Sequence, residues 1–342
     1  MKKRIAINGF GRIGRTVLKI SLLPPYNEQL EIVAVNDLGD VQNLAYLVKY
    51  DSVYGTLVQD VSVIEREGNP YIKVGDQEIL VCSEREPAKL PWGALGIDVV
   101  IESTGFFTST EKSQAHIEAG AKRVVISAPT KDDTPMITPS LNEDGLKNVV
   151  ITSNASCTTN ATNPIVSVIH EALGIEKALL STVHAYTATQ SLVDGMADPS
   201  DLRRGRAGAQ NIIPSTTGAA KAVSKVIPDL ANKFDGVAIR VPVVSGSLID
   251  LTMLVSRDTT IEEINQILTN ASESTKWKDI LGVTKDPIVS TDILKTSYGS
   301  LVALDLTQVV DGDLIKVMAW YDNEWSYTSM LMKHVSSVLA LV

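Results

Sequence analysis

The sequence predicts an α/β protein in two parts. The first is a parallel-sheet domain with helices on both faces, and the second is an α+β domain with a mostly antiparallel sheet. Through residues 4–152, short apolar runs alternate with amphipathic stretches, which is how a helix-covered parallel sheet reads. Beyond about residue 157 the β-prone runs lengthen and this alternation ends. At 342 residues the chain also exceeds what one hydrophobic core holds well.

In chain order, Arg4-Ile5-Ala6-Ile7-Asn8 is a first strand. An amphipathic helix follows to Leu22 and is closed by Pro24-Pro25. Residues 31–36 form a second strand, and a helix from Asp40 to Tyr50 takes Asp40 as its N-cap. Residues 59–82 alternate and carry turn residues, which predicts an antiparallel insertion. Strands resume at 98–101, 123–127 and 149–152, with Thr108 and Glu111 as a capping box for a helix ending at Gly120. In the second part, strands are expected at 179–187, 236–244, 248–255 and 313–320. Helices are expected at 219–232, at 260–271 and from Asn323 to the end.

A formal charge of −9 argues against a general nucleic-acid or membrane-surface binder, because both need a net basic face. The basic start Met1-Lys2-Lys3-Arg4 is followed by Asn8, Gly9, Gly11 and Arg12, which interrupt any secretory apolar core. No apolar run of about 18 residues exists, so no membrane span is expected. Two cysteines cannot make a disulfide framework, and a cytoplasmic location is the simplest expectation. Two cysteines and four scattered histidines show no metal-ligand spacing, so no metal is expected.

Gly9-Phe10-Gly11-Arg12-Ile13-Gly14 is a G-x-G-x-x-G that leaves a strand and opens a helix, the context this motif needs to cradle a pyrophosphate. That makes the first domain Rossmann-type. The glycines allow close backbone approach, and the helix N-terminus supplies free N–H groups. A ligand-free glycine turn is the weaker alternative. Asp37 ends the second strand about 20 residues further on, where a carboxylate accepts ribose hydroxyls and repels a 2′-phosphate. NAD is favoured over NADP, and Asp37 also suits a turn role.

Cys157 lies in Ser153-Asn154-Ala155-Ser156-Cys157-Thr158-Thr159-Asn160, too polar a setting for a core cysteine. A strand-to-helix turn there would lower the thiol pKa and make a nucleophile. Pro164 implies that the helix kinks early or starts late. Cys82 reads as core. Among the histidines, His116, His170 and His334 read as surface or helix-end residues. His184 ends the next strand and is the candidate base, although spacing alone leaves its pairing with Cys157 open.

The run Asp201-Leu202-Arg203-Arg204-Gly205-Arg206 is either a solvated face or an anion site. Arg240, inside the apolar run Val237–Pro242, needs a partner, and a bound anion is one candidate. Thr217 and Gly218 open a helix and offer donors to a further anion.

At this point the sequence resembles the phosphorylating glyceraldehyde-3-phosphate dehydrogenases almost end to end. The resemblance rests on Ile7–Arg15, Ser153–Asn160, Thr182–Ala185 with Thr187, Ile212–Pro214 with Thr217–Lys221, Arg240–Pro242 and Trp320–Trp325. It implies catalysis by Cys157 with His184. It implies NAD contacts from Gly9, Gly11, Arg12, Ile13, Gly14, Asp37, Arg85, Ser127 and Asn323, with Asn323 at the nicotinamide carboxamide. It places the substrate phosphate on Thr187 and Arg240. Ser156, Thr158, Thr217 and Gly218, with Arg204, are placed on the attacking phosphate. Glyceraldehyde 3-phosphate and inorganic phosphate are the implied substrates, and a homotetramer the implied assembly.

The implied domains are an NAD-binding domain at 1–156, to which the C-terminal helix 322–342 returns, and a catalytic domain at 157–321. Two rival readings are an erythrose-4-phosphate dehydrogenase and a non-catalytic NAD-binding regulator.

The chain departs from the family pattern at several points. Ala161 replaces a frequent second cysteine, and Val243–Ser247 replaces Thr-Pro-Asn-Val-Ser, which bears on local sheet or subunit contacts more than on catalysis. Ser140-Leu141-Asn142 and Ser326 also differ, and 195–200 is slightly lengthened, which bears on the choice of Arg204 over Arg203 as the anion ligand.

Overall fold

The computed structural model describes residues 2–342, which divide into two compact units. One runs to Ala155 and includes Leu331–Val342, and the other is Ser156–Met330.

In the first unit, β1 (Lys3–Asn8), α1 (Arg12–Ser21), α2 (Tyr26–Gln29), β2 (Leu30–Asn36) and α3 (Val41–Lys49) come first. They are followed by β3 (Val61–Arg66), β4 (Asn69–Val74) and β5 (Gln77–Cys82). Next come β6 (Val99–Glu102), α4 (Thr110–Glu118), β7 (Arg123–Ile126) and β8 (Ile151–Ser153). The sheet order is β3-β4-β5-β2-β1-β6-β7-β8. From β5 to β8 every pairing is parallel, and β3 and β4 add antiparallel at one edge. Ile5, Ile7, Val99, Ile101 and Val124 are wholly buried, as strands covered on both faces must be. Chain order turns at β1, with β2 on one side and β6 on the other. That is the switch point where such sheets open a crevice at their strands' C-terminal ends.

Three expectations are corrected here. The insertion at 59–82 is antiparallel only in part, because β5 joins the parallel sheet beside β2. Thr108 does not cap α4. Ser109 does, accepting from Lys112 N–H at 3.2 Å, since its hydroxyl is the one that reaches the third helical amide. His116 and His334 are not surface residues, for both are fully buried and hydrogen-bonded. Trp92 Nε1 donates to His116 Nδ1 at 3.1 Å, which leaves its Nε2–H for Glu102 at 3.1 Å. His334 faces Thr152 Oγ1 at 3.0 Å and Asn154 at 3.4 Å. Asp40 does cap α3, accepting from Asn43 N–H at 3.0 Å.

The second unit begins with α5 (Cys157–Leu173), β9 (Ile175–Ala185), β10 (Ile213–Thr216), α6 (Ala219–Val226), β11 (Phe234–Val241) and β12 (Ser247–Val255). It continues with α7 (Ile261–Glu273), β13 (Leu281–Thr284), β14 (Ser300–Ala303), β15 (Gln308–Val310) and β16 (Leu314–Tyr321), and α8 (Trp325–Leu339) starts within it. The order is β10-β11-β9-β12-β16-β14-β13, with β15 beside β16. The β11–β9 and β13–β14 pairs are parallel and the others antiparallel. β12 alternates buried and half-buried along its length, as a sheet with helices on one face requires. The helix expected at 219–232 stops at Val226, because Pro228 forces Ile227 out of helical geometry.

Candidate active site

In the first unit, a cavity of about 560 Å³ opens at the β1 switch point, lined by Gly9, Gly11, Asp37, Arg85 and Thr104 among others. Gly9 has φ +91°, and a Cβ there would meet Thr104 N at 2.6 Å. Gly14 is equally constrained, because its Cβ would meet Gly9 O at 2.3 Å. Gly11 differs, with nothing within 4 Å of a Cβ built on it. The space above Gly11 is therefore open to a ligand, and a pyrophosphate on the α1 amides fits it.

Asp37 Oδ2 accepts from Phe10 N–H at 2.8 Å and its Oδ1 from Gly39 N–H at 2.9 Å, so the carboxylate also fastens the glycine turn. Beneath the cavity, Asn36 Nδ2 donates to Asn8 Oδ1 at 2.7 Å, and Asn8 Nδ2 donates to Glu102 at 2.6 Å. Arg12 and Ile13 begin α1. The Arg12 guanidinium pairs with Asp51 at 2.8 Å and lies over the Tyr54 ring. Ser127 stands one residue past β7 and is not among the residues lining this cavity.

In the second unit, Cys157 is the first residue of α5. Ser156 is its N-cap, accepting from Thr159 N–H at 3.1 Å. The helix does not start late, for Cys157 is its first residue and Pro164 lies inside it. Ala155, just before the cap, holds a left-handed φ of 55°.

Helix α5 spans about 24 Å at its rise per residue, and β9 runs back about 33 Å, far enough to carry the end of the strand past the start of the helix. There Cys157 Sγ stands 3.3 Å from His184 Nε2. β8 and β9 belong to different sheets, so the meeting arises from this reversal and not from two neighbouring strand ends.

Register pairs Arg240 with His184 on adjacent parallel strands, and Arg240 Nη1 lies 2.8 Å from His184 Nδ1. Arg240 Nη1 also donates to Ala185 O at 3.2 Å, while its buried Nε has no partner in the protein. A buried guanidinium with a spare donor suits an anion. Arg204 Nε donates to Asp201 and to Ser215 Oγ, both at 2.9 Å, and its charge is felt at His184 and Arg240. Thr187 Oγ1 lies 2.9 Å from Thr189 Oγ1 in the loop after β9. Thr217 and Gly218 sit between β10 and α6; Gly218 brings no side-chain cap, and Thr217 Oγ1 accepts from Ala219 N–H, the first amide of α6, at 3.2 Å.

Burial pushes the Cys157 thiol up, against the pull of the Arg240 charge and of the Thr158 hydroxyl and amide. Burial, then Arg240, pushes His184 down to about 3. The expected lowered thiol pKa is thus corrected, because desolvation outweighs the helix end and the guanidinium. Each group alone resists charging, and a proton passed across the 3.3 Å contact would set the two new charges against each other.

Asn323, 5% exposed, is anchored through Oδ1 by Gly246 N–H and Ser247 Oγ, each at 3.0 Å. Sequence reasoning assigned no role to this Gly246-Ser247 anchor, nor to Tyr321. The Tyr321 hydroxyl bonds Thr158 at 3.0 Å and Thr182 at 2.8 Å, and its ring meets His184 edge-on. The available signal was the cluster Trp320–Trp325, whose polar residues follow an apolar strand. Among the described residues, no group of three His, Cys, Asp or Glu is placed to hold a metal. No helix among them is long and apolar enough to cross a membrane.

The family model described as glyceraldehyde 3-phosphate dehydrogenase, NAD binding domain, matches residues 3–110, and that of the C-terminal domain matches residues 156–323. A glyceraldehyde-3-phosphate dehydrogenase of Clostridium acetobutylicum is 48% identical over 334 residues, covering 96% of each chain. That of Mycolicibacterium smegmatis is 46% identical over 99% of each chain. That of Pseudomonas aeruginosa is 46% identical over 100% of this chain and 98% of its own. The chain belongs to the glyceraldehyde 3-phosphate dehydrogenase family, and NAD is its cofactor.

Proposed function

We propose that the family's reaction, NAD-dependent oxidative phosphorylation of glyceraldehyde 3-phosphate to 1,3-bisphosphoglycerate, runs here through Cys157 and His184. The observation that carries this is the 3.3 Å contact of Sγ with Nε2, on a ring whose other nitrogen donates to Ala185 O at 2.7 Å and so leaves Nε2 free to take a proton. The relatives favour glyceraldehyde 3-phosphate over erythrose 4-phosphate as substrate, and an enzyme over a non-catalytic regulator.

His184 takes the thiol proton as sulfur attacks the aldehyde carbon, then gives it to the carbonyl oxygen, leaving a thiohemiacetal. Bound NAD would supply the acceptor for the hydride lost from that carbon. His184 takes the hydroxyl proton in the same step, and a thioester remains on Cys157. Phosphate oxygen attacks the thioester carbon, the C–S bond breaks, and sulfur recovers its proton from His184. One acyl phosphate, one NADH and one proton are released per aldehyde.

Two phosphate groups need two anion positions. Arg240 with Thr187 would hold the substrate's, and Ser156, Thr158, Arg204, Thr217 and Gly218 the attacking one. In the first unit, Gly9, Gly11, Arg12, Ile13, Gly14, Asp37, Arg85 and Ser127 would hold NAD; Asn323, in the second, is read as a nicotinamide carboxamide contact. The NAD-binding domain is assigned to 1–156 with 322–342, and the catalytic domain to 157–321.

A homotetramer is supported by apolar side chains exposed on the second sheet, Leu179 at 64%, Val237 at 51% and Leu314 at 40%. Light scattering of the purified protein decides this. A cytoplasmic location is proposed on the two-cysteine composition, and cell fractionation checks it.

The test of function follows NADH absorbance with glyceraldehyde 3-phosphate, NAD and phosphate. Formation is expected to require phosphate and to fall to a trace in Cys157→Ser. Substantial oxidation by that variant would overturn the covalent route.

A further inference from the structure

Val243–Ser247, where this chain departs from its relatives' usual pattern, closes around Asn323. An amide oxygen has two lone pairs, and here both are filled, by Gly246 N–H and by the Ser247 hydroxyl, each at 3.0 Å. Ser245 Oγ lies further off at 3.5 Å and bonds Asp322 Oδ1 at 3.0 Å instead. A backbone N–H can only donate, so the Asn323 amide has one orientation, with Oδ1 toward this turn and the Nδ2 donors away from it.

The Ser247 proton is committed to Asn323 Oδ1, and a lone pair of the same hydroxyl accepts from Ala185 N–H at 3.1 Å. Ala185 follows His184 and offers its carbonyl to the His184 ring at 2.7 Å. One hydroxyl therefore joins the backbone beside the candidate base to the Asn323 amide. Gly246 reaches this arrangement with φ +94°, and a Cβ there would strike Ser290 O at 2.4 Å.

We propose that Ser247 and Gly246 are positioning residues that lock Asn323 as a donor only, so that it grips the nicotinamide by the carboxamide oxygen. This rests on the reading of Asn323 as a nicotinamide contact. The lock sets how firmly the ring is oriented, and it leaves the adenosine end of the cofactor untouched.

The test is calorimetric titration of the full chain with NAD and with ADP-ribose, which lacks the nicotinamide. Ser247→Ala is expected to bind ADP-ribose like the parent and NAD about tenfold more weakly, the scale of one well-made hydrogen bond. Gly246→Ala should move the same way, and Ser247→Thr, which restores the hydroxyl, should keep NAD affinity within about threefold. Unchanged NAD affinity in Ser247→Ala, or an equal loss for both ligands, would overturn the lock. Equal affinity of the parent chain for both ligands would instead remove the nicotinamide reading of Asn323, and the lock with it.

Discussion

Arg240 Nη1 and Cys157 Sγ flank one imidazole, the first 2.8 Å from Nδ1 and the second 3.3 Å from Nε2. The guanidinium charge lowers both the His184 and the Cys157 pKa. In Arg240→Gln both should rise. The pH midpoint for alkylation of Cys157 by iodoacetamide is then expected to move up, together with the KM for the aldehyde. A midpoint that moves down would contradict this electrostatic role.

The last two glycines of the turn should separate stability from binding. Gly14→Ala drives a Cβ onto Gly9 O, so the thermal midpoint should fall by several degrees before any ligand is added. Gly11→Ala meets open space and should melt like the parent while losing at least tenfold in NAD affinity. Calorimetry beside melting curves checks both, and a Gly11→Ala protein with parental NAD affinity would remove the pyrophosphate from that position.

Asp37→Asn keeps an acceptor for Phe10 N–H and removes the charge that repels a 2′-phosphate. The ratio of kcat/KM for NAD over NADP is expected to fall by about tenfold, largely through better use of NADP. An unchanged ratio would place cofactor choice elsewhere.

Buried histidines should make the fold acid-sensitive. Burial lowers His334 to about 3, and burial with Arg240 lowers His184 to about 3, both far below the ordinary value of 6.5. The unfolded chain then binds protons that the folded chain refuses. Stability is complete above about pH 6.5 and declines as pH falls toward 3, by up to about 1.4 kcal/mol per pH unit for each histidine. His334→Gln should flatten that slope between pH 6 and 4 in denaturant titrations, and an unaltered slope would count against the assignment.

The local parts of this site were legible in the sequence, and those made by long-range pairing were not. Gly9–Gly14, the Asp40 cap and the Cys157 turn follow from short-range rules of backbone and capping. Spacing alone left the His184 partnership open, because it depends on β9 running back along α5 far enough to reach its first residue. The neighbour relation of Arg240 and His184 needs the register of β11 on β9, which no local pattern encodes. His116 and His334 misled for the opposite reason. Their helices look amphipathic, yet Glu102 with Trp92, and Thr152 with Asn154, supply the partners that make their burial tolerable.

Ala161 stands one helical turn beyond Cys157 on α5, where relatives often carry a second thiol. Peroxide converting Cys157 to a sulfenic acid would find no sulfhydryl elsewhere in Ser156–Met330 to condense with. Rescue then falls to small thiols from solution. Peptide mapping after oxidation should recover Cys157 as a mixed disulfide with added glutathione, with no bridge inside that unit.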